Sequence, residues 1–118
     1  MNFLEAEVNH HNLVEFAGKN LGIGAVRSES GEVTLGVRPE DIQLATSTEG
    51  LPVRVASVEY QGTYLRALCE PKGWAAKRNI KVDIPIQRLA EKPILPGCEA
   101  HLQFDHQSVH VFQEGAEV

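Results

Sequence analysis

Metal, nucleophilic or acid–base chemistry in this chain would fall to five histidines, two cysteines, five serines and 16 carboxylates. Their spacing builds none of the usual constellations. His106 and His110 stand four apart, a ligand pair if they share a helical face. Asp105 to Ser108 reads instead as a turn and Val109 to Phe112 as a strand, and His10-His11 lies in a polar loop. No serine sits in GxSxG or another activating context, and the neighbours Glu40 and Asp41 suit solvation or helix capping better than acid–base work. A phosphate-binding loop needs a glycine-rich turn followed by Lys and Ser or Thr. Gly18-Lys19 is followed by Asn20, and Gly22-Ile23-Gly24 lacks the third glycine and a following helix. The expectation is a chain that is not itself an enzyme and holds no metal or cofactor.

One loop stands out. Pro71-Lys72-Gly73-Trp74-Ala75-Ala76-Lys77-Arg78-Asn79 carries the sole Trp among three cations. Lys72, Trp74, Lys77 and Arg78 have the chemistry of a contact surface, an amphipathic ring with charges that steer acidic partners or phosphates. The alternative is a long hairpin loop whose Trp folds back over the edge of the body.

The elements that must position these residues are strands. Leu4, Ala6 and Val8 alternate with Glu5 and Glu7; the same period of two runs through Val33 to Val37, Ile80 to Ile84 and Ala100 to Phe104. Each pattern buries one face. Turn signals separate the runs: Gly22 and Gly24, Ser28 to Gly31, Glu49-Gly50 before Pro52, and Pro96-Gly97. Between Val53 and Tyr60 the apolar phase switches from odd to even positions, which requires a bulge or a strand coiling between two faces. Gln61-Gly62 turns that strand into Thr63 to Glu70. Pro39-Glu40-Asp41 can open a single helical turn, with Pro at its first position and acids near its amino end. Gln87 to Glu91 can form another. Short strands between frequent turns predict an all-β fold, a small barrel or sandwich, in one domain spanning 1–118.

Bulk numbers exclude other classes. A hydrophobic fraction of 42% is that of a folded chain. The net charge of -5 argues against a protein that lives on phosphate backbones, so no nucleic acid is expected. The charge is uneven, because seven of the 11 cations fall between Arg66 and Lys92 against three carboxylates. Two cysteines without a CxxC form no disulfide scaffold, and Cys69, among apolar residues, reads as a small core residue. No apolar run approaches the roughly 20 residues of a membrane-spanning helix, and the first residues have no signal-peptide pattern.

Four segments, in order, resemble one family. They are Met1-Asn2-Phe3-Leu4; Leu35-Gly36-Val37-Arg38-Pro39-Glu40-Asp41; Val58-Glu59-Tyr60-Gln61-Gly62-Thr63-Tyr64-Leu65; and Phe104-Asp105 with Val109-His110-Val111-Phe112 and Gly115. Together they are similar to the transport-associated OB (TOBE) domain of maltose-type ABC importer ATPases. The second is the most specific, since Gly36, Arg38, Pro39 and Glu40 match the family's G-[IV]-R-P-E signature. Gln61, where Leu is common, Glu114-Gly115 for Thr-Gly, and a longer Trp74 loop depart from the pattern.

The resemblance implies an OB-like small barrel of short antiparallel strands. It implies a parent subunit that binds ATP and Mg in a separate ATPase domain upstream, held in the cytoplasm at the inner face of the membrane. Partners implied are a second copy of the subunit, the membrane permease subunits and, in some relatives, a regulatory protein. Two other functions compete: a small-ligand or oxyanion sensor, and a stand-alone OB-type nucleic-acid binder using Trp74 and the cations from Lys72 to Arg78.

Overall fold

The computed structural model describes residues 1–24, 31–45, 50–74, 76, 78–89 and 94–113. Among these residues, ten strands form two five-stranded antiparallel sheets. The strands are β1 (Asn2–Val8), β2 (Leu13–Phe16), β3 (Lys19–Gly24), β4 (Glu32–Val37), β5 (Ile42–Ala45), β6 (Leu51–Tyr60), β7 (Tyr64–Pro71), β8 (Ile80–Pro85), β9 (Glu99–Phe104) and β10 (His110–Gln113). The first sheet runs β10-β4-β1-β2-β3 and the second β5-β9-β6-β7-β8. The fold is all-β, as the alternating sequence predicts, and OB-like, as the family resemblance implies. Its helical content among the described residues is one turn, α1 (Ile86–Leu89), and two 3-10 turns at Pro39–Asp41 and His106–Ser108.

The alternation explains which face each strand buries. Leu4, Ala6 and Val8 of β1 point inward beside Val33, Leu35 and Val37 of β4, while Phe3, Glu5 and Glu7 face water. In the second sheet Val53, Val55, Leu65, Ala67, Cys69, Ile80, Val82, Ala100 and Leu102 fill the interior. One core cluster joins side chains of both sheets. Each buried Val, Leu or Ile side chain contributes about 1.5–3 kcal/mol.

The phase switch in β6 is a bulge. Val55 pairs with Cys69 and Ser57 with Leu68, so Ala56 is the extra residue. Beyond it the inward row moves to even positions with half-buried Val58, but Tyr60 at the strand end is 71% exposed. The bulge lets one strand serve β9 with its first half and β7 along its length.

Gly22 and Gly24 mark no turn, contrary to the sequence expectation. They lie within β3, where Leu21 and Ile23 supply the alternation. The turn is earlier, at Ala17 (φ 52) and Gly18 (φ 78). Positive φ at both central residues is the geometry of a tight hairpin whose twist matches its strands. The turn expected at Ser28 to Gly31 falls largely on residues 25–30, and Glu49 and Glu91 likewise lie outside the described residues.

The chain passes between the sheets twice. It leaves the first through Arg38 and the 3-10 turn Pro39–Asp41, and it returns through Asp105 and His106–Ser108. Because β4 pairs with β10 and β5 pairs with β9, these crossings run side by side as one antiparallel ribbon.

Candidate functional site

The signature residues build the first crossing. Arg38 is extended (φ -71, ψ 143), as the residue before a proline must be. Pro39 is buried and starts the turn. The Asp41 amide donates to the Arg38 carbonyl at 2.9 Å, and the Ile42 amide to that of Pro39. These backbone bonds close the turn, and no side chain caps it. Arg38 and Glu40 are exposed.

Between the two crossings lies a polar cleft of about 400 Å³, lined by Glu40, Asp41, Gln43, Gln103, Asp105 and Ser108 among others. Its carboxylates make it unsuited to anions. Asp105 organises the far wall: its Oδ1 accepts from the Gln107 amide at 3.1 Å, and its carbonyl from the Ser108 amide at 2.8 Å.

Gly36 meets a different requirement. A methyl group there would sit 2.7 Å from the Met1 sulfur and 2.8 Å from a Phe112 ring carbon. Glycine therefore allows Met1 and Phe112 to lie down on the outer face of the first sheet. Phe3 joins them, its ring 6.0 Å from that of Phe112 and tilted by 56°. All three are exposed, at 47%, 63% and 48% for Met1, Phe3 and Phe112.

The Trp74 loop is divided between two places. Trp74 is half-buried, its Nε1 donates to the Pro52 carbonyl at 2.7 Å, and its ring meets Phe16 edge-on at 5.4 Å. It thus clamps β2 of the first sheet to β6 of the second. The Lys72 amide also donates to the Pro52 carbonyl, and its ammonium pairs with Glu99 on exposed surface, holding that carboxyl below the usual carboxylate range. Arg78 sits elsewhere, in a recess of about 320 Å³ with Met1, Asn2, Phe3, Asn79, Ile80 and Lys81. Lys77 lies outside the described residues. Through Met1, Arg78 and Gly36 border one surface, whereas Lys72 and Trp74 belong to another.

The outer face of the second sheet carries a charge row set by register. Glu59 faces Arg66, and Arg66 faces Asp83. The Arg66 guanidinium makes a fork to Asp83 at 2.8 and 2.9 Å and lies 5.8 Å from the Tyr64 ring centre. That carboxylate holds the guanidinium protonated beyond even its ordinary range. Both thiols are free, and burial pushes the Cys69 thiol up to about 12.

His10 and His11 occupy the exposed tip of the β1–β2 hairpin. Asn9 shapes it, accepting from the His11 and Leu13 amides at 2.8 and 3.1 Å. Among the described residues, no three His, Cys, Asp or Glu side chains converge on a metal position. No helix among them is long and apolar enough to cross a membrane.

The family models divide the chain at the same crossing. The model of the TOBE domain matches residues 35–112. This chain belongs to the TOBE domain family. A second model, the MalK OB fold domain, matches residues 1–42 of the same TOBE protein. The two overlap at 35–42, the segment that carries Gly36 to Asp41 from one sheet into the other. A search of curated protein sequences found no match. Among solved structures, the cytoplasmic molybdate-binding protein ModG, with molybdate bound, superposes with a TM-score of 0.68. The alignment covers 94% of this chain and 94% of that one at 16% identity, a likeness of fold.

The aromatic cluster is the feature sequence reasoning passed over. Its signal was present: Phe3 is an apolar residue at an outward position of a strand whose other outward residues are Glu5 and Glu7.

Proposed function

We propose that this TOBE domain is the non-catalytic accessory domain of the ATP-binding subunit of a bacterial ABC importer, a carrier of a sugar, glycerol phosphate, polyamine or similar cargo. The observation that carries this reading is the succession of MalK OB fold and TOBE matches, which share the segment from 35 to 42. ATP and Mg belong to the parent subunit's ATPase domain in this reading. The accessory domain holds two subunits together when their ATPase halves part, which raises the effective concentration of one half near the other. It also offers surface to the permease subunits or a regulatory protein, and it works at the cytoplasmic side of the membrane.

Immunoblotting of fractionated cells with an antibody to this domain tests the reading. The expected result is a band far larger than 13.0 kDa in the membrane fraction. A soluble band at 13.0 kDa would remove it.

An oxyanion sensor is the second reading, supported by the ModG fold and by Arg78 and Lys81 in their shared recess. The acidic cleft between the crossings opposes an anion there, whereas the recess carries Arg78 and Lys81. A rise in melting temperature with molybdate, sulfate or phosphate that Arg78→Ala abolishes would support it; no shift at millimolar anion would end it.

A further inference from the structure

The bulge at Ala56 decides what the outer face of the second sheet carries. Before it the odd-numbered residues Val53 and Val55 point inward; after it Ser57 and Glu59 face outward. Bulges re-aim side chains in this way beside functional sites. Register then sets two outward rows across β6, β7 and β8. Ser57, Leu68 and Lys81 form one row, and Glu59, Arg66 and Asp83 the other. All of these except Asp83 line, with Val58, a recess of about 330 Å³, a volume at the small end of the range for ligand pockets.

Asp83 holds Arg66 from beyond the recess, by Nε and Nη2 at 2.8 and 2.9 Å. A guanidinium has five N–H donors in one plane. The other three, on Nη1 and Nη2, have no partner among the described residues. The Tyr64 ring lies 5.8 Å from the guanidinium carbon. Arg66 is thus fixed on one edge and open on another, and the open edge suits a carboxylate. Lys81 and Glu59 stand at opposite corners of the two rows, about 10 Å apart across the strands and about 7 Å along them. Neither side chain makes a hydrogen bond or ion pair among the described residues. Both are exposed, and half-buried Leu68 lies between them.

A simple anion in this recess would meet Glu59, and a simple cation would meet Lys81. A molecule with both charges close together satisfies both. We propose that the recess binds a free α-amino acid with an aliphatic side chain. Its carboxylate lies between the open edge of Arg66 and the Lys81 ammonium. Its own ammonium reaches Glu59, which faces Arg66 across the strands. Its side chain covers Leu68, beside the Ser57 hydroxyl. The site gives the domain a small-molecule input that is independent of the accessory-domain reading. It is also distinct from the Arg78 recess, although Lys81 borders both. Because the charges are exposed, the affinity is modest, on the order of 10⁻³ M.

Titration calorimetry of the 118-residue chain with leucine tests this, with N-acetylleucine, leucinamide and glycine as comparisons and circular dichroism of every variant as the folding control. Leucine should bind saturably, one per chain. N-acetylleucine lacks the ammonium and leucinamide the carboxylate, so each should bind about tenfold more weakly. Glycine leaves Leu68 uncovered and should bind severalfold more weakly. Glu59→Gln and Lys81→Gln, both at exposed positions, should each weaken leucine about tenfold. Glu59→Gln should also erase the difference between leucine and N-acetylleucine. No saturable binding of leucine at tens of millimolar overturns the proposal. So does binding in which N-acetylleucine matches leucine, or which Glu59→Gln tightens, since either result means that the recess takes a plain anion.

Discussion

The side-chain amide of Asn2 bonds both backbone groups of Lys81. Its Nδ2 donates to the Lys81 carbonyl at 2.7 Å, and its Oδ1 accepts from the Lys81 amide at 2.8 Å. Asn2 is the one buried polar side chain among the described residues, at 6% exposure. It imitates one rung of a β-ladder and fastens β1 of the first sheet to β8 of the second.

Asn2→Ala should therefore cost about 2–4 kcal/mol, because it removes two bonds and leaves part-buried backbone groups without a partner. Asn2→Asp should cost nearly as much, since a carboxylate can accept from the Lys81 amide but cannot donate to its carbonyl. Urea unfolding followed by circular dichroism measures both. A loss under about 0.5 kcal/mol for Asn2→Ala would show that the sheets hold together without this link.

Trp74→Phe should retain the ring contact with Phe16 and lose the bond to the Pro52 carbonyl, a cost of about 1 kcal/mol. Trp74→Ala should cost about 2–4 kcal/mol by losing both. With a single Trp in the chain, fluorescence reports this clamp directly. Emission should start blue-shifted and move red in step with the loss of far-ultraviolet signal. Red emission from the native protein would contradict the packing described.

The Cys69 thiol should resist modification in the native state, and Cys98, half-buried near the start of β9, should react first. The pH dependence has a definite sign. Cys69 titrates near 9 when unfolded and near 12 when folded. Between those values the unfolded chain has lost a proton that the native chain keeps, so stability falls as pH rises, by about 1.4 kcal/mol per pH unit. Below pH 9 the thiol is protonated in both states and contributes no slope. Cys69→Ala should flatten the alkaline limb relative to the parent protein, and parallel limbs would exclude the thiol as its cause.

The strands that were legible in the sequence are those whose pattern is local. β1, β4, β8 and β9 alternate cleanly, and the phase switch in β6 signals a bulge or a coiled strand, which the register resolves as a bulge at Ala56. β2 and β3 were hidden, since Ala17-Gly18 is a weak turn signal while Gly22 and Gly24 look like breakers. What period two cannot convey is which strands meet. Asn2 finds Lys81, Trp74 finds Phe16, and β10 finds β4 only through the closed fold. The same limit applies to the surface: Gly36 is visible in the signature, but its purpose depends on Met1 and Phe112 lying across it from both ends of the chain.

The paired crossings also constrain how the protein is made. The second sheet grows mainly from neighbours in sequence, β6 to β7 to β8. The first cannot be completed until its last strand arrives, because His110 pairs with Gly36. Closing so long a loop is entropically costly and slow. During synthesis on the ribosome, β4 therefore waits with an open edge until β10 emerges. A chain lacking β10 would expose that edge to other chains, so loss of His110–Gln113 should favour aggregation more than their small share of the core suggests.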